Sequence, residues 1–151
     1  MRLERPVRCA AMTDGRDLVD NLARLALFAD LTRPELEALA HTVDEEVFAD
    51  GQRVLRTGLS GAGFFVILEG QASIQVDGED RWTLGPGDFF GEASVLTGEP
   101  PSADVVAKGL LRCAIVPGPE LERFLLDRPH LLLRLLRVEA QRLRSALAWR
   151  S

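Results

Sequence analysis

The spacing of apolar residues along the chain changes twice. Leu18, Leu22, Leu25 and Ala26 recur at helical intervals and predict a first helix that ends near Phe28. Thr32 followed by Glu35, with Pro34 in the first turn, is a capping-box pattern and predicts a second helix through about His41. From Glu45 to Val116 the pattern shortens to brief apolar runs between glycine-rich turns, which predicts a compact β-barrel or sandwich. The clearest strands are Val54-Leu55, Phe64 to Leu68, Ala72 to Val76, Trp82 to Leu84, Ala103 to Ala107 and Leu111 to Val116, with Asp77-Gly78 as a hairpin turn. After Pro117 the helical period returns. A short amphipathic segment covers Glu120 to Leu126, Arg128-Pro129 breaks it, and a longer helix runs from His130 to about Trp149. On that last helix Leu133, Leu136, Ala140, Leu143 and Leu147 form a narrow seam, while Leu131, Leu135 and Val138 form a second apolar line. One line could face the barrel and the other a partner, or both could cover the domain's own core.

Composition narrows the class. A chain of 151 residues with 46% hydrophobic content is one domain, large enough to bury a real core. A formal net charge of -5 argues against general nucleic-acid binding. No apolar run approaches the length of a membrane span. Met1 to Asp17 carries arginines at 2, 5, 8 and 16 without an apolar segment, so residues 1–17 are expected to be a loose tail. The remaining 18–151 then form a single domain, with helices over 18–43, the barrel over 45–116 and C-terminal helices over 119–149. Cys9 falls in the tail, and Cys113 lies on one strand face with Leu111 and Ile115, as a small buried apolar residue would. Two cysteines build no disulfide framework, so a reduced, cytoplasmic setting is expected.

The richest chemistry lies between Phe89 and Ala107, which reads Phe-Phe-Gly-Glu-Ala-Ser-Val-Leu-Thr-Gly-Glu-Pro-Pro-Ser-Ala-Asp-Val-Val-Ala. Gly91 can adopt a positive φ and bring the backbone close to a ligand, and a helical turn after Glu92 would leave unpaired N–H groups that favour an anion. The segment resembles the phosphate-binding cassette of the cyclic nucleotide-binding domain family, whose pattern is Phe-Gly-Glu-Leu-Ala-Leu-Leu, three variable residues, then Pro-Arg-Ala-Ala-Thr-Val. Phe65 to Ala72 resembles the signature strand and turn of that family, and the order of features agrees from Leu27 to Leu147. The resemblance implies a mainly β fold with flanking helices: a jelly-roll β-barrel (double-stranded β-helix) with an N-terminal helical segment and a long C-terminal helix.

It also implies a ligand site, cAMP or cGMP being the expected ligand and no cofactor being required. Its positions are Phe90, Gly91, Glu92, Ala93, Ser94, Pro101, Ser102, Ala103 and Asp104, together with Arg142. Glu92 would take the ribose 2'-hydroxyl, while the backbone around Ala93 and Ser94 and the Ser102 hydroxyl would face the phosphate. Arg142 matches an arginine of the terminal helix that pairs with the cassette glutamate in the bacterial activator branch; as an alternative it is a solvated helix charge. Pro101 stands where the family carries its phosphate-binding arginine. Losing that arginine removes charge-assisted bonds of roughly 1.5 to 3 kcal/mol each, on the order of tenfold to several hundredfold in affinity. Asp104 replaces threonine on the strand face it shares with Ser102, which adds a carboxylate near the phosphate.

Enzymatic readings fare poorly. A cupin would need several metal-binding histidines on the barrel, and the chain has only His41 and His130, both on predicted helices. No barrel histidine could activate Cys113 or a serine. The sequence given stops at Ser151, where an activator would continue into a helix-turn-helix module, so direct DNA readout is not expected. Two non-enzymatic readings stand: a degenerate regulatory domain that dimerises through its C-terminal helix or docks a protein partner, and a single-domain sensor of a small anionic ligand.

Overall fold

The computed structural model describes residues 15–56, 58 and 63–150. Residues 1–14 of the expected tail, Cys9 among them, lie outside the described residues. In chain order the elements are α1 (Gly15–Ala23), a 3-10 turn (Ala26–Phe28), α2 (Arg33–Thr42), β1 (Asp44–Phe48), β2 (Arg53–Leu55), β3 (Gly63–Val76), β4 (Glu79–Leu84), β5 (Phe89–Phe90), α3 (Glu92–Thr97), β6 (Asp104–Pro117), α4 (Gly118–Leu126) and α5 (Pro129–Arg150).

The N-terminal helices follow from their caps. Helix α1 stops at Ala23, short of the expected Phe28, because Arg24 and Leu25 donate to carbonyls three residues back and tighten the chain out of the α-helix. Helix α2 starts with a complete capping box: Glu35 N donates to Thr32 Oγ1 at 3.3 Å and Thr32 N to Glu35 Oε1 at 2.9 Å. The bond from the Thr32 backbone is the largest of the effects that lower the Glu35 pKa below the usual glutamate value. The other oxygen of Glu35 accepts from Arg128 Nε at 2.8 Å, and that guanidinium lies 3.8 Å from the Phe124 ring. Arg134 on α5 donates to the Ala26 carbonyl and to Asp30. Two arginines thus tie the N-terminal helices to the C-terminal ones.

All six strands form one antiparallel sheet of jelly-roll type. Its strand path is β1-β6-β3-β4, with β2 added on β6 and β5 on β3, and it does not close. The segments expected as four short strands are two long ones. β3 and β6 each run through a glycine that lies in the gap between two of those expected strands, Gly70 at φ +90° and Gly109 at φ +73°. The register between them shifts around Glu69 and resumes at Gln71, so Gly70 marks a bulge. A Cβ at Gly70 would collide with the Leu110 carbonyl oxygen, which fixes glycine there. Asp77 and Gly78 both have positive φ, as a tight β3–β4 hairpin requires.

Strand alternation then divides the core. Phe65, Ile67, Ala72, Leu84, Phe90, Val105, Ala107, Leu111 and Cys113 fill one face of the sheet. Phe64, Val66, Ala114 and Val116 point the other way, against Leu22, Phe28, Leu36, Leu39, Leu121, Leu125, Leu131 and Leu135 of the helices. Full burial of a side chain such as Ile67 or Leu135 contributes roughly 1.5 to 3 kcal/mol. Burial, followed by the nearby charge of Glu46, pushes the Cys113 thiol up to about 12. Of the two apolar lines on α5, Leu131, Leu135 and Val138 pack into this core, whereas Leu133, Leu136, Ala140 and Leu143 are exposed.

Candidate functional site

The cassette begins where β5 ends. Phe89 and Phe90 pair with Val66 and Phe65, and the Phe90 ring stacks on the Phe65 ring at 4.8 Å between centroids. Phe90 is therefore a core anchor of the cassette. Gly91 turns the chain at φ +87°, and a Cβ there would collide with the Gly63 carbonyl oxygen and lie 3.2 Å from Phe65 Cδ1. Only glycine accommodates both demands. Helix α3 follows at once and is closed by Gly98 at φ +75°, whose N–H donates to the Ser94 carbonyl at 2.9 Å. Ala93 is exposed, and its carbonyl accepts from Thr97 Oγ1 at 2.7 Å.

Glu92, the first residue of α3, is 4% exposed. Its Oε1 accepts from Arg142 Nη1 at 2.5 Å, while Arg142 Nη2 donates to the Phe89 carbonyl at 2.5 Å. The guanidinium also lies 4.5 Å from the centre of the Phe89 ring. One arginine of α5 thus holds the strand before the cassette turn and the carboxylate after it. This is the contact expected between Glu92 and Arg142. Such an arrangement compensates a buried charge that would otherwise cost several kcal/mol.

A third charged group joins them. Glu139, one helical turn before Arg142, places Oε1 at 3.7 Å from Arg142 Nη1. Burial raises the Glu139 carboxyl to about 8, reinforced by a hydrogen bond with Glu92 and by the Glu92 charge, and opposed by Arg142. Glu92 Oε2 and Glu139 Oε1 are both buried and find no hydrogen-bond donor while both carboxyls are ionised.

The far end of the cassette differs from expectation. Pro101 is buried and its carbonyl accepts from Gly58 N at 2.9 Å; having no cationic side chain, it supplies no charge to a phosphate. Ser102 is exposed and Ala103 is half-buried. Asp104 was expected to add a carboxylate near the phosphate; that carboxylate pairs with Arg53 of the neighbouring strand β2. The cross-strand register that places Arg53 beside the start of β6 is what sequence reading missed. Phe89 and Glu139 were missed too, although Glu139 stands at helical spacing from Arg142, the one available signal.

Among the described residues no group of three or more histidine, cysteine, aspartate or glutamate side chains could hold a metal, and no helix is long and apolar enough to cross a membrane.

Comparison with known proteins places this geometry. The family model of the cyclic nucleotide-binding domain matches residues 45–128. A cGMP-dependent protein kinase of Caenorhabditis briggsae is 32% identical over 117 residues, which cover 74% of this chain and 14% of the kinase. The regulatory subunit of a cAMP-independent protein kinase A from Trypanosoma brucei superposes with a TM-score of 0.74 at 26% identity, over 87% of this chain and 49% of that one. A mutant of that subunit with three substitutions, one of them to arginine, bound to cAMP in the A site, superposes with a TM-score of 0.72 at 26% identity, over 84% and 47% of the two chains. The chain therefore spans about half the length of these subunits and a small part of the kinase. With the matched segment running from β1 through the cassette and α4, this chain belongs to the cyclic nucleotide-binding domain family.

Proposed function

We propose that this is a non-enzymatic regulatory domain in which cyclic nucleotide binding is weak or lost, and which acts in the cytoplasm as a dimerisation or docking module. The observation that carries the reading is the bond from Arg142 to Glu92. The carboxylate that would receive the ribose hydroxyl is engaged by Arg142, and that bond ties the terminal helix to the cassette through the protein's own side chains. A ligand biases two states only through a difference in affinity for them, and a helix tied to the cassette by the protein's own ion pair leaves less of that difference for a nucleotide to supply. Pro101 adds to this, because no cation stands at the position that would bind phosphate. Affinity for cAMP or cGMP is expected on the order of 10 μM or poorer.

The exposed Leu133, Leu136 and Leu143 face supports the second half of the reading. A parallel homodimer through α5 would cover the same patch on both copies, and a protein partner would cover it on one.

Calorimetric titration with cAMP and with cGMP tests the proposal, and sub-micromolar binding of either would sink it. Pro101→Arg is the companion. In the Trypanosoma brucei subunit described as cAMP-independent, the mutant bound to cAMP carries an introduced arginine among its substitutions. With Asp104 held by Arg53, the substitution here should raise affinity at least tenfold if the rest of the cassette can receive the ligand. A second reading, a stand-alone sensor of cyclic nucleotide or another anion, is favoured by the exposed Ser102 hydroxyl and by the left-handed turn at Gly91. Tight binding by the unmodified chain would select it.

A further inference from the structure

Two carboxyl groups and one guanidinium meet where α5 crosses the cassette, and their hydrogen bonds do not balance if both acids are ionised. Arg142 Nη1 donates to Glu92 Oε1 and Nη2 to the Phe89 carbonyl, 2.5 Å away in each case, and neither nitrogen is bonded to the second oxygen of Glu92. Glu92 Oε2 and Glu139 Oε1 are then buried acceptors without a donor. A single proton resolves the imbalance. Carried by Glu139, it makes that carboxyl a donor to the free oxygen of Glu92 and leaves one negative charge facing one positive charge.

We propose that Glu92 and Glu139 share one proton, so that the contact between α5 and the cassette is a proton-dependent latch that loosens in alkaline medium. The groups that set its charge are Glu92 from α3, Arg142 from the same helix as Glu139, and the Phe89 carbonyl from β5. Burial of Glu139 and its bond with Glu92 both favour the protonated form and raise its titration to about 8, against an ordinary value of 4.5. The sign follows. Between those limits the folded chain holds a proton that the unfolded chain has released, so stability falls as pH rises through the window and is level above it. Once the proton leaves, two carboxylates face one guanidinium, and repulsion acts across the α3–α5 contact. The inference concerns the ligand-free chain and stands whether or not the cassette takes a nucleotide.

The test is a carbon-13 NMR titration of the full chain labelled at glutamate carboxyls, with the Glu139 resonance identified by its absence in Glu139→Gln. Its midpoint is expected near 8. Amide hydrogen exchange supplies the second readout. Over roughly pH 7 to 9, after correction for the intrinsic rate, wild-type amides of α5 should lose protection. Those of Glu139→Gln, whose side-chain amide keeps a donor toward Glu92 without a titratable proton, should not. A midpoint in the ordinary glutamate range overturns the shared proton. A midpoint near 8 without loss of α5 protection, or parallel loss in both proteins, overturns the latch.

Discussion

Replacing Arg142 by leucine removes four contacts that the structure assigns to one side chain: the bond to Glu92, the bond to the Phe89 carbonyl, the approach to the Phe89 ring and the longer ion pair with Glu139. The charge-assisted bond to the buried carboxylate contributes about 1.5 to 3 kcal/mol and the carbonyl bond about 0.5 to 1.5 kcal/mol. The ring contact adds about 0.5 to 1 kcal/mol at a partly exposed site. Leucine keeps some apolar area against Phe89 and returns part of this. The stranded carboxylate sets a ceiling. Neutralising a carboxyl of ordinary acidity at pH 7 costs about 3 to 4 kcal/mol, which bounds the penalty a stranded carboxylate can impose. The expected loss at pH 7 is therefore about 3 kcal/mol, which a domain of ordinary stability survives. Urea unfolding followed by circular dichroism measures the loss. Combining Arg142→Leu with Glu92→Gln should cost less than the sum of the single changes by about 2 kcal/mol. A loss below about 1 kcal/mol or strict additivity would refute the ion pair as the tie between α5 and the cassette.

Three further outcomes are expected. Gly91→Ala should destabilise the fold by about 2 kcal/mol or more through backbone strain and collision with Gly63, seen as a lowered Tm; an unchanged Tm would contradict the left-handed turn. Cys113 should resist thiol reagents in the native protein and react after urea unfolding, as read by peptide mass spectrometry, because burial keeps its thiol up at about 12; labelling of the folded chain would show an accessible thiol. Light scattering should give twice the chain mass for the wild type and the monomer mass for Leu136→Glu with Leu143→Glu, and a wild-type monomer at tens of micromolar would remove the case for dimerisation through the exposed face of α5.

Local rules read well from the sequence wherever one residue type decides the outcome. The Thr32 and Glu35 capping box, the Asp77-Gly78 hairpin and the division of α5 into two apolar lines are of this kind. The Glu92–Arg142 contact was reached by resemblance, since the two residues are fifty positions apart and no local pattern links them. Misreadings came from glycine. Gly70 and Gly109 fall in the gaps between expected strands, but each sits within a strand whose pairing continues beyond it, and only the partner strand reveals that. Strand β5, two residues long, is too short to carry a period. The Arg53–Asp104 pair depends on register across strands, and the proton demand of Glu139 depends on burial and on the Glu92 carboxyl.

The long pairing of β3 with β6 has a consequence for how such a domain can change over time. From Gly63 opposite Pro117 to Gln75 opposite Asp104, the two strands clasp each other, and the cassette hangs between Val76 and Asp104 as an excursion from that clasp. A substitution inside the excursion, such as a proline at the phosphate position, alters chemistry without loosening the hydrogen-bonded frame that holds its ends. The frame and the pocket can therefore drift separately, and a lineage could discard its messenger while keeping the surface its partners grip. In such a lineage the terminal helix would inherit the task, and its binding to others would be the trait that selection continued to see.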